Sequence, residues 1–266
     1  MLRFAGMRFG ADPELFLIDQ EGKFISSIGK IGGTKQAPLP IDDKGSAVQE
    51  DNVAVEFNIA PSANAAEFIE NLQRPLSYLE EKAKGMGLGL SVIPSAIFTD
   101  EELTHPQARM FGCDVDYNVW TGKPNPRPKA KGIFQNLRTA GGHVHVSWNE
   151  PDMKDRVKLV QALDLFLGVP SVLMDGDTRR RLLYGKAGAY RPKIYGVEYR
   201  VLSNFWIKDT GLMRWVVQQT ENAVEFLRLG NRITSATKKS ILQAINESSE
   251  QAALRLVDEF NIRMAA

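Results

Sequence analysis

The chain has 266 residues but only one cysteine and no long hydrophobic run. With Cys113 alone an intramolecular disulfide is excluded, which indicates a reducing compartment, and we interpret this thiol as structural because no Cys/His spacing supports a nucleophile. No stretch approaches the roughly 20 apolar residues that a bilayer span needs, and the N-terminal segment has no signal-peptide core. We therefore expect a soluble, cytoplasmic protein without a membrane partner.

Net charge is also nearly absent. Thirty-three basic and 32 acidic residues give a formal charge of +1, so nucleic acid is not an expected partner. The charges are unevenly distributed, however, because the segments 117–149 and 178–197 contain basic residues but no acidic ones. The motifs GxxxxGK[ST] and GxGxxG are missing as well, so neither a P-loop nor a Rossmann site is expected.

The order of strand and helix patterns in the sequence predicts one α+β domain, 1–266, with a largely antiparallel sheet. The reason is that the strand patterns are joined both by turns and by helices. Asn64 and Glu67 have the spacing of a capping box at the start of a helix. A later helix is expected to stop at Gly168 and Pro170. The other expected elements are strands at 8–18, 24–28, 50–60, 88–96, 141–148 and 196–206, loops at 29–47, 99–138 and 176–193, helices at 64–83 and 152–167, and C-terminal helices over about 209–266.

Four of these strands carry pairs of polar side chains two residues apart. Residues i and i+2 leave the same face of a strand, so each pair projects together. In the third strand, Glu50 and Glu56 share a face if the strand is continuous, whereas Asp51 has the opposite parity and marks only the strand start. The pairs are Asp12/Glu14, Glu50/Glu56, His143/His145 and Glu198/Arg200.

Each pair alone has a structural alternative. Asp12 and Glu14 flank Pro13 and could lie on the solvated side of an edge strand. The two histidines could be hydrogen-bonded core residues, and Glu198 with Arg200 could form a simple salt bridge. Together, however, carboxylates and imidazole are ligands for Mg²⁺ or Mn²⁺, and the basic residues of 179–193 would suit a triphosphate.

The four motifs resemble, in this order, the glutamine synthetase and glutamate-cysteine ligase superfamily, and most of all its phage-associated carboxylate-amine ligases. The segments MFGCDVDYNVWTG and RRLLYGKAGAYRPKIYGVEYRVLSNFW extend the resemblance over about residues 8 to 207. It implies a sheet curled into a funnel, with helices on its outer face, and an ATP-dependent ligase that forms an amide bond. The implied partners are small-molecule or peptide acids and amines in a host cytoplasm, and self-association into a homo-oligomer stays open.

The resemblance also implies roles for single residues. It places one metal ion on Asp12, His143 and Glu198 and a second on Glu14, Glu50 and Glu56, with two or three ions of Mg²⁺ or Mn²⁺ in all. ATP would contact His145 and, by a looser assignment, Arg181, Arg191 and Lys193. Arg200, Glu198 and Glu56 would be the catalytic residues, with Arg200 facing the transferred phosphate.

Two departures from the superfamily pattern are visible. The first strand has Asp-x-Glu where the synthetases have Glu-x-Glu, and the long N-terminal domain of glutamine synthetase has no counterpart. Two other functions stay open at this point. One is a metal-dependent hydrolase or cupin-like enzyme that uses His143 and His145, and the other is an inactive ligase fold that binds a partner.

Overall fold

An antiparallel sheet of eleven strands forms the centre of the computed structural model, which describes residues 4–109, 115–128, 132 and 135–265. Its order is β3-β4-β5-β1-β11-β13-β12-β8-β9, with β2 and β6 also paired to β1, and β7 pairs separately with β10. The strands are β1 Arg8–Ile18, β2 Phe24–Ile25, β3 Leu39–Pro40, β4 Ala47–Asp51, β5 Ala54–Asn58, β6 Gly89–Ser91, β7 Ser95–Ile97, β8 Tyr117–Asn118, β9 Lys123–Pro124, β10 Leu137–Thr139, β11 Gly142–Ser147, β12 Ala189–Lys193 and β13 Gly196–Tyr199.

Helices cover the apolar face of this sheet. The first begins at Asn64, whose side chain accepts the Glu67 N–H at 3.0 Å, as the capping-box spacing predicts. The Glu67 carboxylate accepts the N–H of Ala63 at 2.7 Å, one residue before the N–H that a capping box uses. The helices are α1 Ala65–Gly85, α2 Met153–Leu163, α3 Val169–Met174, α4 Arg179–Leu183, α5 Thr210–Arg228, α6 Ser235–Asn246 and α7 Glu250–Glu259, and α5 packs against both α1 and α2.

Strand β1 has a paired strand on each side, and its side chains alternate between the buried core and the polar face of the sheet. Leu15 and Leu17 are fully buried in the core beneath the helices, whereas Asp12 and Glu14 leave the opposite face. The edge-strand alternative for this pair is therefore wrong, because β5 and β11 lie on either side of β1. A second small core, centred on Phe16 and Phe98, lies at one end of the polar face.

Several expected elements differ in the structure. The expected strand 196–206 ends at Tyr199 and is followed by a 3-10 helix at Asn204–Lys208, and the expected loop 99–138 contains β8 and β9. The strand 50–60 is a hairpin, because Asn52 adopts a left-handed conformation (φ 55°) and turns β4 back into β5. Pro170 does not end a helix, since a π-helical turn at Asp164–Gly168 leads into α3 and places this proline in the first turn of α3, where no N–H is needed. The expected loop 176–193 contains α4 and β12.

Among the described residues, Met153–Met174 is the one continuous helical stretch long and apolar enough to cross a membrane, with 72% of its apolar window buried inside the protein. A core helix has the same properties, and the expectation that no stretch reaches this length is corrected accordingly. Cys113 lies outside the described residues. The single-domain assignment and the funnel-like curl of the sheet stay predictions.

Candidate active site

Strands β1, β11 and β13 lie side by side and bring three of the sequence pairs to one face. Asp12 is opposite His143 in the pairing of β1 with β11, and His145 is opposite Glu198 in the pairing of β11 with β13. The Asp12 carboxylate lies 3.1 Å from His143 Nδ1 and 3.2 Å from His145 Nε2. Ligand atoms of Asp12, His145 and Glu198 all lie within 4.8 Å of one another, and we call these three residues the histidine cluster.

Basic side chains surround Glu198, which is fully buried. Its carboxylate contacts Arg191 at 3.1 Å, Lys193 at 2.7 Å and the Arg200 guanidinium. The salt bridge between Glu198 and Arg200 that was an alternative for this pair therefore exists, although Arg191 and Lys193 pair with the same carboxylate and His143 Nδ1 lies 3.9 Å from it. Asp116 lies 3.6 Å from Arg200 Nε. Buried charges are costly unless paired, so these contacts explain how Glu198 is accommodated.

The pKa values of the histidine cluster and its neighbour His143 reflect these contacts. Burial and Asp12 raise the pKa of Glu198, but Arg200 and the two imidazoles outweigh them and hold it at about 2. Burial likewise raises the pKa of Asp12, and the charges of His145 and His143 bring it well below its usual value. Burial and Arg200 lower the pKa of His143 to about 4, so this imidazole is neutral at pH 7 and able to bind a metal.

A second group of acidic residues lies next to the first. Ligand atoms of Glu14, Asp51 and Glu56 also lie within 4.8 Å of one another, and we call these residues the carboxylate cluster. Glu14 faces Glu56 across the pairing of β1 with β5, and its carboxylate accepts the Gly141 N–H at 2.6 Å.

The carboxylate cluster is only partly compensated by positive charge, since Lys35 and Arg200 act on Asp51 and Arg180 and Arg200 act on Glu14. Burial and the charge of Asp51 raise the pKa of Glu14 to about 7. Burial together with Asp12, Asp51 and Glu14 raises the pKa of Glu56 well above its usual value. Carboxylates that share a site repel one another, and a cation between them would relieve that repulsion.

Glu50 does not join this cluster, which corrects its assignment as a metal ligand. Its carboxylate accepts N–H bonds from Gly29 at 2.9 Å, Ile31 at 3.0 Å and Gly32 at 2.8 Å, on the other face of the sheet. The hairpin is the reason, because the turn at Asn52 reverses the chain and places Asp51 on the same face as Glu56. Asp51, expected only to mark the strand start, occupies the predicted position of Glu50.

Arg181 is also corrected. It is buried behind the site, where its guanidinium lies 3.5 Å from Asp175 and donates to the Ser171 carbonyl at 3.2 Å. Its neighbour Arg180 faces the site instead and lines a cavity together with Glu14 and Arg200. The difference is one residue on a short helix, which the sequence RRR does not resolve.

Three cavities border the polar face, and one of them, of about 260 Å³, is lined by His145 and Tyr195. Another, of about 370 Å³, contains Asp12 and the carboxylate cluster, and its basic lining residues are Lys35, Arg191, Lys193 and Arg200. A smaller cavity of about 70 Å³ shares Glu14, Asp51, His143 and Arg200 with it, and adds Arg138, Arg180 and Tyr184. The two cavities therefore adjoin at these shared residues, and the smaller one extends toward Arg138 and Arg180.

Both clusters fit divalent cations. Each offers three ligands, and carboxylate oxygens are the ligands that Mg²⁺ and Mn²⁺ prefer, with imidazole also suited to Mn²⁺ in the first cluster. Burial and mutual repulsion raise the pKa values of Glu14 and Glu56, and a bound cation would lower them. His145, expected only beside the nucleotide, is itself a candidate ligand. Its Nδ1 lies 2.7 Å from the Tyr195 hydroxyl, which orients the ring.

Sequence reasoning missed Asp51, Arg180 and Tyr195. Asp51-Asn52 is a turn signal, because Asn tolerates the left-handed region, and it could have revealed the hairpin. Tyr195 lies in the turn between β12 and β13, and no signal in the sequence separates it from other tyrosines.

Comparison with known proteins gives one family match. A family model described as phage phiEco32-like COOH.NH2 ligase-type 2 matches residues 123–256, just over half of the chain. The matched range includes His143, His145, Glu198 and Arg200, whereas Asp12 and the carboxylate cluster lie before it. No curated protein matches the chain.

Two of the solved structures that align with the chain differ in what they show. A bifunctional glutathione synthetase from Pasteurella multocida aligns with a TM-score of 0.50 at 10% identity, over 96% of this chain and 49% of its own. The chain thus spans about half of that protein, and the likeness shows a shared fold. A structure described as apo GmaS without ligand aligns over 97% of this chain and 70% of its own at 10% identity, but its TM-score of 0.41 is too low to support a fold assignment.

Proposed function

The chain belongs to the phage phiEco32-like COOH.NH2 ligase family, type 2, and we propose that it is an ATP-dependent enzyme that joins an acid to an amine as an amide. The observation that carries the proposal is the larger cavity, in which Asp12 and the carboxylate cluster lie beside Arg191, Lys193 and Arg200. Phosphoryl transfer is catalysed mainly by positioning and by neutralising phosphate charge, and this cavity contains groups for both.

In the proposed reaction a carboxylate oxygen of the acid attacks the γ-phosphorus of ATP. The bond between that phosphorus and the β,γ-bridging oxygen breaks, ADP leaves, and an acyl phosphate forms. The amine nitrogen then attacks the acyl carbon, inorganic phosphate leaves with the electron pair of the C–O bond, and the nitrogen loses a proton. The acid and the amine are small molecules or peptides.

The residues in and around the cavity have different roles in the proposed reaction. Arg200 stabilises the charge that develops on the transferred phosphoryl group, and it is held in place by Glu198 and Asp116. Arg191 and Lys193 contact Glu198 in the structure and can bind phosphate oxygens instead. Asp12, His145 and Glu198 would hold one divalent cation, with His143 beside them, and Glu14, Asp51 and Glu56 another. Such cations neutralise phosphate oxygens when bound.

The ionised state of Glu198 supports this division. A pKa of about 2 keeps this carboxylate charged at every working pH, so it can hold a cation and Arg200 at the same time. Glu14 and Glu56 have raised pKa values, and Glu56 is the candidate to accept the proton that the amine loses.

The test is ATP-dependent formation of an acyl hydroxamate, with hydroxylamine as the amine and a panel of acids. We expect product only with ATP and Mg²⁺ or Mn²⁺, and about a 100-fold loss in His143→Ala, because this imidazole touches Asp12 and Arg200. His105→Ala is the matched control, since His105 is an exposed residue outside the site. Full turnover in His143→Ala would contradict the proposal.

The hydrolase and the inactive-ligase hypotheses make different predictions. A hydrolase or cupin-like enzyme would bind a single transition metal at His143 and His145 and would not respond to ATP. An inactive ligase fold would remain folded but form no hydroxamate with any acid. Metal analysis combined with an ATP titration separates the three.

A further inference from the structure

A fully buried carboxylate lies on the helical side of the sheet, opposite the acidic clusters. Asp164 belongs to the π-helical turn between α2 and α3. It accepts hydrogen bonds from the Tyr199 hydroxyl at 2.8 Å and from Trp120 Nε1 at 2.6 Å, and the Gly188 N–H also contacts it. Burial raises the pKa of Asp164 to about 7, although these three uncharged donors lower it. An acid buried among uncharged partners is costly, so its presence indicates a role in holding those partners.

The hydroxyl of Tyr199 connects Asp164 to the polar face of the sheet. Tyr199 lies between Glu198 and Arg200, and successive side chains of a strand leave opposite faces, so it points into the core while its two neighbours point to the site. The hydroxyl can approach the π-helical turn because residue 168 is glycine, since a Cβ atom there would lie 2.5 Å from the Tyr199 oxygen. The hydrogen bond therefore fixes β13 from behind where Glu198 and Arg200 leave it.

The indole of Trp120 connects the same carboxylate to Asp116. Gly188 (φ 78°) leaves room for this ring, because a Cβ atom there would lie 2.5 Å from Trp120 Cδ1. Trp120 directly follows the β8 region, and four residues before it the Asp116 carboxylate lies 3.6 Å from Arg200 Nε. Both connections from Asp164 thus end at Arg200, one through the backbone of β13 and the other through Asp116.

Trp120 has a second neighbour that could hold it. Lys238 of α6 lies with its Nζ 5.5 Å from the centre of the indole ring and 3.5 Å from the Trp120 carbonyl oxygen. Lys238 is partly exposed, and a cation above a ring at such a site is held less strongly than a hydrogen bond to a buried carboxylate. We therefore assign the anchoring of the indole to Asp164 and use Lys238 as a control.

We propose that Asp164 is a positioning residue, which holds Arg200 in its orientation for phosphoryl transfer through Tyr199 and through Trp120 with Asp116. This inference rests on the proposed ligase function. Asp164 lies behind the sheet and acts on the reaction only through these partners. Because the orientation of Arg200 affects the transfer step, loss of these contacts should lower kcat and leave KM for ATP nearly unchanged.

The first experiment removes the donors one at a time. Tyr199→Phe keeps the ring and deletes the hydroxyl, and Trp120→Phe deletes the ring N–H. In each variant we expect kcat for hydroxamate formation to fall about 10- to 100-fold, with KM for ATP within about twofold. Tyr190→Phe is the matched control for Tyr199→Phe, because Tyr190 lies opposite Tyr199 in the pairing of β12 with β13 and its hydroxyl contacts Met153 Sδ at 3.9 Å.

Lys238→Met is the control for Trp120→Phe, since it removes the other neighbour of the indole. Both controls should keep kcat within about twofold of wild type. An undiminished kcat in Tyr199→Phe, or an equal loss in Tyr190→Phe, overturns the inference. An equal loss in Lys238→Met and Trp120→Phe overturns the connection through Trp120.

A double-mutant cycle distinguishes positioning from a general loss of stability. Asp164→Asn replaces the carboxylate by an amide of similar size, and Asp116→Asn weakens the contact with Arg200. If both residues act on Arg200, the double variant should lose at least about threefold less kcat than the product of the two single losses. A loss within about threefold of that product means independent effects and overturns the inference. Thermal denaturation shows whether each variant is folded, and Tyr199→Phe replaces Asp164→Asn in the cycle if the latter does not fold.

The outcomes separate the inference from the proposed function. Active wild type with unchanged kcat in Tyr199→Phe overturns the inference and leaves the ligase function intact. If wild type forms no hydroxamate with any acid, the ligase function fails, and the Arg200 Nε–H resonance in ¹H–¹⁵N NMR, assigned by its loss in Arg200→Lys, decides the positioning. A resonance that shifts in Tyr199→Phe but not in Tyr190→Phe supports it. No resonance in wild type, or an unshifted one in Tyr199→Phe, overturns it.

Discussion

Asp12 and Glu14 leave the same face of β1 two residues apart, yet their carboxylates have opposite surroundings. Histidines lower the pKa of Asp12, whereas burial and a neighbouring carboxylate raise that of Glu14 to about 7. In the histidine cluster the protein's own cations balance the acidic groups, whereas in the carboxylate cluster Lys35, Arg180 and Arg200 do so only in part. We therefore expect a bound cation to stabilise the carboxylate cluster more than the histidine cluster.

The largest effect is expected when the charge of Glu198 is removed from the histidine cluster. Glu198→Gln keeps the volume of the side chain but removes the charge that Arg191, Lys193 and Arg200 share. We expect hydroxamate formation to fall by about 10³-fold. Leaving buried cations without a partner should also lower the free energy of unfolding by about 3 kcal/mol, measured by urea denaturation.

Glu225→Gln is the control for this substitution, because Glu225 is an exposed residue of α5. Unchanged turnover in Glu198→Gln would mean that the pairing with three cations is only structural.

The next largest effect distinguishes two adjacent acids. Asp51→Asn removes a charge from the carboxylate cluster, and we expect about a 100-fold loss of hydroxamate formation. Glu50→Gln changes a residue whose carboxylate accepts three backbone N–H groups elsewhere, so turnover should stay within about threefold while the melting temperature falls. A larger catalytic loss in Glu50→Gln than in Asp51→Asn would contradict the hairpin at Asn52 and support the continuous strand 50–60 that the sequence predicted.

The raised pKa of Glu14 in the carboxylate cluster should make the stability of the protein depend on pH. The pKa of Glu14 is about 7 in the folded chain against an ordinary 4.5, so the folded chain keeps a proton that the unfolded chain loses over this interval. Without divalent cations the free energy of unfolding should therefore fall by about 1–3 kcal/mol as the pH rises from 4.5 to 7.

Urea denaturation with EDTA or with Mg²⁺ at pH 5 and pH 8 measures this decrease. Mg²⁺ should reduce it, and Glu14→Gln should reduce it even in EDTA. An equal pH dependence in wild type and Glu14→Gln would assign the effect to other groups.

The smallest effect is expected at the edge of the histidine cluster. Tyr195→Phe removes the hydroxyl 2.7 Å from His145 Nδ1 and leaves the ring that stacks on the imidazole. One hydrogen bond is worth about 1 kcal/mol, so we expect about a fivefold rise in KM for ATP with little change in stability. Tyr117→Phe, at a partly exposed ring elsewhere in the sheet, is the control.

The sequence predicts best where pattern and chemistry agree. The alternation in FGADPELFLI gives β1 its observed bounds, since any shift of one residue would bury Asp12 and Glu14 in the core. The Asn64 cap similarly gives the start of α1. In both cases the local sequence pattern and the packing of the element against the core favour the same boundaries.

Prediction fails where the local signal is weak, as at Asn52, or where tertiary contacts decide. Glu50 and Asp51 are equally acidic, and the left-handed backbone at Asn52 alone determines which of them faces Glu56. Arg180 and Arg181 are likewise identical in type, and the rotation of α4 selects between them. The passage of the helix through Pro170 depends on a π-helical turn that has no sequence signature.

The three contacts of Glu198 have a consequence for the order of binding. A cation that approaches this carboxylate alone must displace Lys193 or Arg191 and leave that side chain without its acceptor. A cation that arrives already bound to a polyphosphate brings phosphate oxygens, and these can accept the hydrogen bonds of the displaced Lys193 or Arg191. The cost of displacing that side chain from Glu198 is then offset. We therefore expect the histidine cluster to have low affinity for free Mg²⁺ and high affinity for the Mg²⁺–ATP complex, which would make nucleotide and ion a single kinetic species in this enzyme.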